Sequence, residues 1–152
     1  MHIVLVEPEI PANTGNISRT CAVTGTSLHL VKPLGFSTDD KHLKRAGLDY
    51  WHQLDLHYHE NFNEVQQKYP TGRFWYLTTK ASKSYSEVTF GPDDFLVFGK
   101  ETAGLPKELL TANPNNCIRI PMLPEIRSLN LSNSVAIVLY EAIKQQGFPG
   151  MK

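Results

Sequence analysis

The feature that most constrains this chain is a set of short apolar runs that lack a polar face. Residues 3–6 (IVLV) are apolar throughout, and residues 28–31, 74–77, 95–98 and 118–120 are similarly rich in apolar, β-branched and aromatic side chains. A strand without a polar side must be covered on both faces, as in a parallel sheet layered between helices. Residues 54–58 alternate instead, with His57 and His59 expected on a polar face. Between the strands lie segments of helical pattern at 16–23, 39–48, 62–69, 106–112 and 132–146. In the last of these Leu131, Val135, Val138, Leu139 and Ala142 share one helical face, with Ser132 read as the N-cap and Gly147 and Pro149 as the stop. This rhythm predicts an α/β fold: one domain, residues 1–152, with a mainly parallel sheet flanked by helices. Residues 80–93 read as a mobile surface loop, and the tail from Phe148 as a fraying end.

Charge narrows the function. Fifteen Lys and Arg balance fifteen Asp and Glu, which argues against a non-specific nucleic-acid binder but leaves room for a local basic patch. Cys21 and Cys117 are far apart with no C-x-x-C, so neither a disulfide framework nor a zinc site is expected. Among six histidines only His57 and His59 pair, and no metal site is expected. No apolar run approaches the roughly 20 residues of a membrane helix. The N-terminus lacks the basic region and cleavage site of a signal peptide. The expectation is a cytoplasmic protein with no membrane partner.

Three loops stand where the strands end, the edge at which open α/β sheets bind ligands. In residues 8–20, Asn13 and Thr14 can cap a helix, Gly15 permits a close approach, and Arg19 follows about a turn later. As structure alone, Arg19 is an ordinary solvated helix charge. In residues 98–106 a buried strand runs into Gly99 and Gly104, but neither G-x-x-x-x-G-K-[ST] nor G-x-G-x-x-G is present. Glu101 would repel a phosphate and suit a cation or a hydroxyl donor. In residues 121–130 and just beyond, Ser128, Asn130, Ser132 and Asn133 crowd small polar groups where strand passes to helix. Lys41, His42, Lys44 and Arg45 form a basic cluster beside Tyr50 and Trp51. It reads equally as a solvated helix face over core aromatics or as an RNA-facing patch.

The three loops, NTGNISRT (13–20), FGKETAGLP (98–106) and IRIPMLPEIRSLNLSNSVAIVLYE (118–141), resemble the three motifs of the SPOUT superfamily of RNA methyltransferases. IVLVEPEIPANTGNISR at 3–19 and KRAGLDYW at 44–51 are similar to its YibK/TrmL type, a minimal form without an appended RNA-binding domain. The resemblance implies a SPOUT fold with a C-terminal trefoil knot, an exception to the rule against threaded chains. It implies S-adenosyl-L-methionine (AdoMet) as cofactor, S-adenosyl-L-homocysteine as product, and no metal. Leu77, Thr78, Gly99, Glu101, Ile120, Met122, Ser128 and Leu129 would hold AdoMet, and a side chain at Gly99 would fill the slot. Arg19 would contact the ribose hydroxyl or its phosphate, with Asn13, Glu101, Ser128 and Asn130 holding the hydroxyl, Arg19 and the loops. Lys41, Lys44, Arg45, Arg127 and Tyr140 would face RNA, the last two alternatively a mate protomer. The implied enzyme is a homodimer acting on tRNA. It methylates the 2′-hydroxyl of nucleotide 34, a cytidine or carboxymethylaminomethyl-uridine of tRNA-Leu. A SPOUT enzyme for another tRNA or rRNA position is the alternative, and a non-catalytic binding module is disfavoured by the joint presence of Arg19 and Glu101.

Overall fold

The structure, a computed structural model, describes residues 1–39, 41, 45 and 52–152. Six strands, β1 (His2–Val6), β2 (Ser27–Val31), β3 (Leu56–His59), β4 (Phe74–Leu77), β5 (Phe95–Phe98) and β6 (Cys117–Ile118), form one sheet. Its order is β3-β2-β1-β5-β4-β6, and every named pairing is parallel. The chain steps outward from β1 in one direction to β3, crosses to the other side for β4, fills the place beside β1 with β5, and ends at the edge with β6. The order therefore reverses between β1 and β5, and a crevice opens beyond their carboxyl ends.

Parallel pairing buries both faces, as the unpatterned apolar runs require. Ile3, Leu5, Leu28, Leu30 and Leu96 pack with α1 (Pro11–Thr24) and α4 (Leu131–Gln145). Val4, Val6, Val31 and Val97 pack against Val65 of α2 (Phe62–Lys68), with Leu109 and Leu110 of α3 (Lys107–Ala112) beside them. Helix α4 buries Val135, Val138, Leu139, Ala142 and Ile143 on one stripe. Removing a large member of that stripe costs about 2–5 kcal/mol.

Several boundaries differ from the sequence reading. Helix α1 starts at Pro11, so Asn13 and Thr14 lie within its first turns and do not cap it. Asn130, not Ser132, caps α4: its Oδ1 accepts from the Ser132 and Asn133 N–H groups. Strand β6 ends at Ile118 because Arg119 leaves β4 and pairs with residues 83–85, donating N–H to Lys83 O and accepting from Tyr85 N. The segment 80–93 is pinned, not mobile. Ser84 and Glu87 form a capping box on a short 3₁₀ turn (Tyr85–Glu87), Val88 and Phe90 are buried, and Gln145 and Gln146 bond their backbone. The tail also turns back, Met151 packing against the core. The expected helix at 39–48 lies largely outside the described residues.

The expected polar face of β3 is instead an imidazole line. His2 Nδ1 meets His29 Nε2 at 3.0 Å, and His29 Nδ1 meets His59 Nε2 at 2.9 Å. His29 is 0% exposed; its ring packs edge-on to Tyr69. Burial, helped by repulsion from the neighbouring imidazoles, pushes the His29 pKa from 6.5 down to about 3. Burial also lowers His2 and His59. The folded chain therefore refuses protons that the unfolded chain accepts. This share of stability is whole above pH 6.5 and drains as pH falls toward the folded value. Each such histidine contributes a slope of up to about 1.4 kcal/mol per pH unit. In urea titrations between those limits, His29→Phe is expected to flatten the acid limb; an unchanged slope would contradict the role given to His29.

Candidate active site

The crevice at the switch point is a cleft of about 580 Å³, within the range of small-ligand sites. The loop after β5, the loop after β4 and the segment from Ile120 to Ser134 wall it. Leu77, Leu105, Ile120, Met122 and Leu129 give it apolar sides, suited to a flat heterocycle.

Glu101 holds the three loops together. Its carboxylate accepts the N–H of Glu9 and of Ile10, both at 2.8 Å, and the Asn13 side-chain N–H at 3.2 Å. Ile10 is the N-cap of α1 and has no side-chain cap of its own, so Glu101 serves that end of the helix from another loop, where a negative charge is favoured. The Asn13 carbonyl oxygen accepts in turn from Asn130 Nδ2 at 3.2 Å. Asn130, Asn13 and Glu101 thus link the third, first and second loops. Glu9 returns a bond across the switch point: its Oε1 accepts from Thr102 N–H at 3.0 Å and Thr102 Oγ1–H at 2.7 Å. These bonds hold the Glu9 carboxyl below its ordinary range. The sequence reading expected Glu101 to meet a cation or a hydroxyl donor; in the structure it accepts two backbone N–H groups and an amide N–H at a helix start.

Gly99 has a different reason from the one expected. A Cβ there would collide with the backbone of Gly104 and Leu105, within its own loop. Gly104, at φ 70°, closes that loop by donating its N–H to Lys100 O at 2.9 Å. The missing side chain lets the loop fold on itself and so shapes the slot.

All eight residues expected to hold the cofactor line the cleft: Leu77, Thr78, Gly99, Glu101, Ile120, Met122, Ser128 and Leu129. Asn13, Asn130 and Arg127 line it as well. Arg19 does not: it is exposed on α1, on the stripe with Ala12, Asn16 and Val23. Tyr140 is exposed on α4 near Ile137. Lys41 and Arg45 are exposed, and Lys44 lies outside the described residues. Sequence reasoning missed Lys80 and Lys100, which also line the cleft. Lys100 was visible within its motif but weighed only against phosphate-loop patterns, and Lys80 was hidden in a stretch read as loop. No cluster of His, Cys, Asp and Glu suited to a metal exists among the described residues, and no His or Cys lines the cleft. The arrangement can bind and orient; it offers no side-chain nucleophile of the thiol or imidazole kind.

Residues 1–140 match the SpoU rRNA Methylase family. The chain belongs to that family. A tRNA (cytidine(34)-2'-O)-methyltransferase of Methylovorus glucosotrophus is 54% identical, over 97% of this chain and 97% of its own. A solved structure described for the 2-OH methylation of C/U34 on tRNA superposes with a TM-score of 0.92 at 43% identity, covering 96% of this chain and 95% of that one. The SpoU methyltransferase AviRb of Streptomyces viridochromogenes, solved with AdoMet, shares the fold: TM-score 0.86 at 22% identity, over 96% of this chain and 57% of that one. Mainly parallel six-stranded architecture and SpoU membership agree with the SPOUT resemblance.

Within this SpoU domain the carboxylate at 101 makes a direct prediction. Glu101→Ala strands three N–H donors and is expected to cost about 1–3 kcal/mol in urea denaturation, with Glu101→Gln, which keeps one accepting oxygen, losing less. Equal stability of Glu101→Ala and the parent would remove Glu101 from this role.

Proposed function

We propose that the chain transfers a methyl group from AdoMet to the ribose 2′-hydroxyl of nucleotide 34 in the anticodon loop of tRNA, a cytidine or modified uridine, with tRNA-Leu as substrate. The observation that carries the reading is the convergence of the three motif loops on one cleft, tied by Glu101 and Asn13. Relatives of matching length named for methylation at position 34 support it.

AdoMet, when bound, supplies a methyl already activated by its sulfonium. The residues present fit it: Leu77, Ile120, Met122 and Leu129 offer apolar walls for adenine, while the tight Gly99–Gly104 loop presents backbone groups. The protein's task is then alignment and removal of the hydroxyl proton. Asn13, Asn130 and Glu101 fix the loops, and Ser128 lies at the cleft wall beside the substrate ribose. The C-terminal segment threads the preceding chain in the family's knot, bringing Ser128 and Leu129 back to the loop after β5. No metal takes part.

Arg19 acts on the ribose from a second copy of the chain. It lies outside its own cleft, on the exposed stripe of α1, and Ile137 and Tyr140 continue an apolar surface on the adjoining α4. A homodimer through these faces brings Arg19 of one protomer toward the cleft of the other, with Tyr140 at the seam. Lys41, Lys44 and Arg45 extend the RNA surface, and the work is done in the cytoplasm, where tRNA is matured. Sedimentation at micromolar concentration is expected to give roughly twice the chain mass; a monomer active on tRNA would refute the exchange.

The deciding experiment incubates the protein with total tRNA and labelled AdoMet and maps the methylated nucleotide. Methyl on the ribose of nucleotide 34 is expected. Methyl elsewhere on tRNA, or on rRNA as the family's description suggests, would move the substrate within the SpoU family. Arg19→Ala is expected to keep AdoMet affinity while single-turnover transfer falls on the order of a hundredfold, because the guanidinium acts on charge that develops in the transition state. Arg19→Lys restores only part, lacking the planar fork. Turnover near wild type in Arg19→Ala would remove the residue from the chemistry.

A further inference from the structure

We infer that Lys80 and Lys100, with Arg127, form a phosphate clamp at the mouth of the cleft, gripping the RNA backbone on either side of the ribose to be methylated. The inference rests on the proposed function, which supplies an RNA substrate, and adds where its phosphates lie.

The argument begins with charge. The chain is neutral overall, yet three cations and one carboxylate line the cleft: Lys80, Lys100, Arg127 and Glu101. Carboxylates of the surrounding loops keep their charge but are fixed in place by hydrogen bonds. Glu101 is occupied by two backbone N–H groups and Asn13, Glu9 by Thr102, and Glu87 by the Ser84 N–H. The cations are held less firmly. Lys100 Nζ stands 3.9 Å from Glu7, at the outer limit of an ion pair, with both side chains about a third exposed. Lys80 Nζ and the Arg127 guanidinium have no hydrogen bond or ion pair among the described residues. Glu125, on the same loop as Arg127, does not line the cleft. Three cations against one carboxylate leave the cleft lining with an excess of positive charge in a chain that is neutral overall, which favours a polyanion.

Position adds a second reason. Lys80 sits on a braced turn, its N–H donated to Thr78 Oγ1 and the next N–H to Thr78 O, while Arg119 holds Ala81 O and Lys83 O. Lys100 sits in the loop that Gly99 and Gly104 close, beside Glu7, whose φ of 55° turns the chain sharply off β1. Two braced loops, after the neighbouring strands β4 and β5, thus present a cation each to the cleft. AdoMet is a poor match for them: its sulfonium and ammonium outweigh its one carboxylate. Phosphodiesters carry the charge this mouth suits.

The test uses the full-length protein and a synthetic anticodon stem-loop RNA, with affinity read by fluorescence anisotropy across a series of KCl concentrations. Each of Lys80→Ala and Lys100→Ala is expected to lower the slope of log Kd against log salt by about 0.7, the value for one single-stranded phosphate contact. The double variant should lose about twice that, and Lys→Arg at either position should keep the parent slope. AdoMet affinity by calorimetry should stay within about threefold throughout, a spread of about 0.7 kcal/mol. A parental slope in the double variant overturns the clamp. A tenfold loss of AdoMet affinity with the slope intact overturns it too, assigning Lys100 to the AdoMet carboxylate. Nucleotide mapping with the parent protein keeps the two proposals apart. A reduced slope with no methyl at position 34 upholds the clamp and sinks the wobble assignment; methyl at position 34 with an unchanged slope does the reverse.

Discussion

The site depends on one carboxylate placed across the sheet's reversal point. Glu101 stands in the loop after β5, and the N–H groups it accepts belong to the loop after β1. These two strands are neighbours in the sheet yet more than ninety residues apart in the chain. Backbone donors at a helix start must find an acceptor, and here that obligation is met by a residue from another loop. The helix start and the loop after β5 are consequently positioned by the same atoms. Asn13 and Asn130 carry the constraint to the third loop, so a ligand meets walls whose spacing is set before it arrives.

That economy has an electrostatic side. A carboxylate at a helix start is favoured by the peptide dipoles there, and its hydrogen bonds fix where its charge lies. Glu101 and Glu87 are used this way, whereas Glu9 accepts from Thr102 in the loop after β5. At the far end of the sheet Asp94 does the opposite, gripping Arg73 through both oxygens and also accepting from Trp75 Nε1. The neutral count of the chain thus hides an uneven distribution: cations are tied down where the protein needs rigidity and left open at the cleft.

Much of this was legible in the sequence, because the strands are apolar enough to demand cover on both sides. The runs at 3–6, 74–77 and 95–98 read directly as strands, and the motif loops led to the residues that line the cleft. What failed did so where distant groups intervene. The first helix was read from residue 16 with Asn13 and Thr14 as caps, but it begins at Pro11, where a carboxylate ninety residues on accepts the Ile10 N–H. His57 and His59 looked like a wet face because alternation shows period and not cover; His57 does stay part-exposed beside Asp55, but His59 is buried against His29 of β2. Arg19 was placed by its motif at the substrate ribose, without a choice between its own cleft and that of another protomer, and helical geometry puts it on the exposed stripe of α1.

The bonds from Gln145 and Gln146 to the backbone of Val88 and Phe90 join positions 55 to 57 residues apart. They make the last turn of α4 a latch on the middle of the chain. A protease nick or a shortened gene product that removed this turn would act at a distance, freeing the segment that leads back to Ser84, Arg119 and the turn bearing Lys80. The last turn of α4, remote in sequence from the loop after β4, is thereby a guardian of the cleft's outer wall.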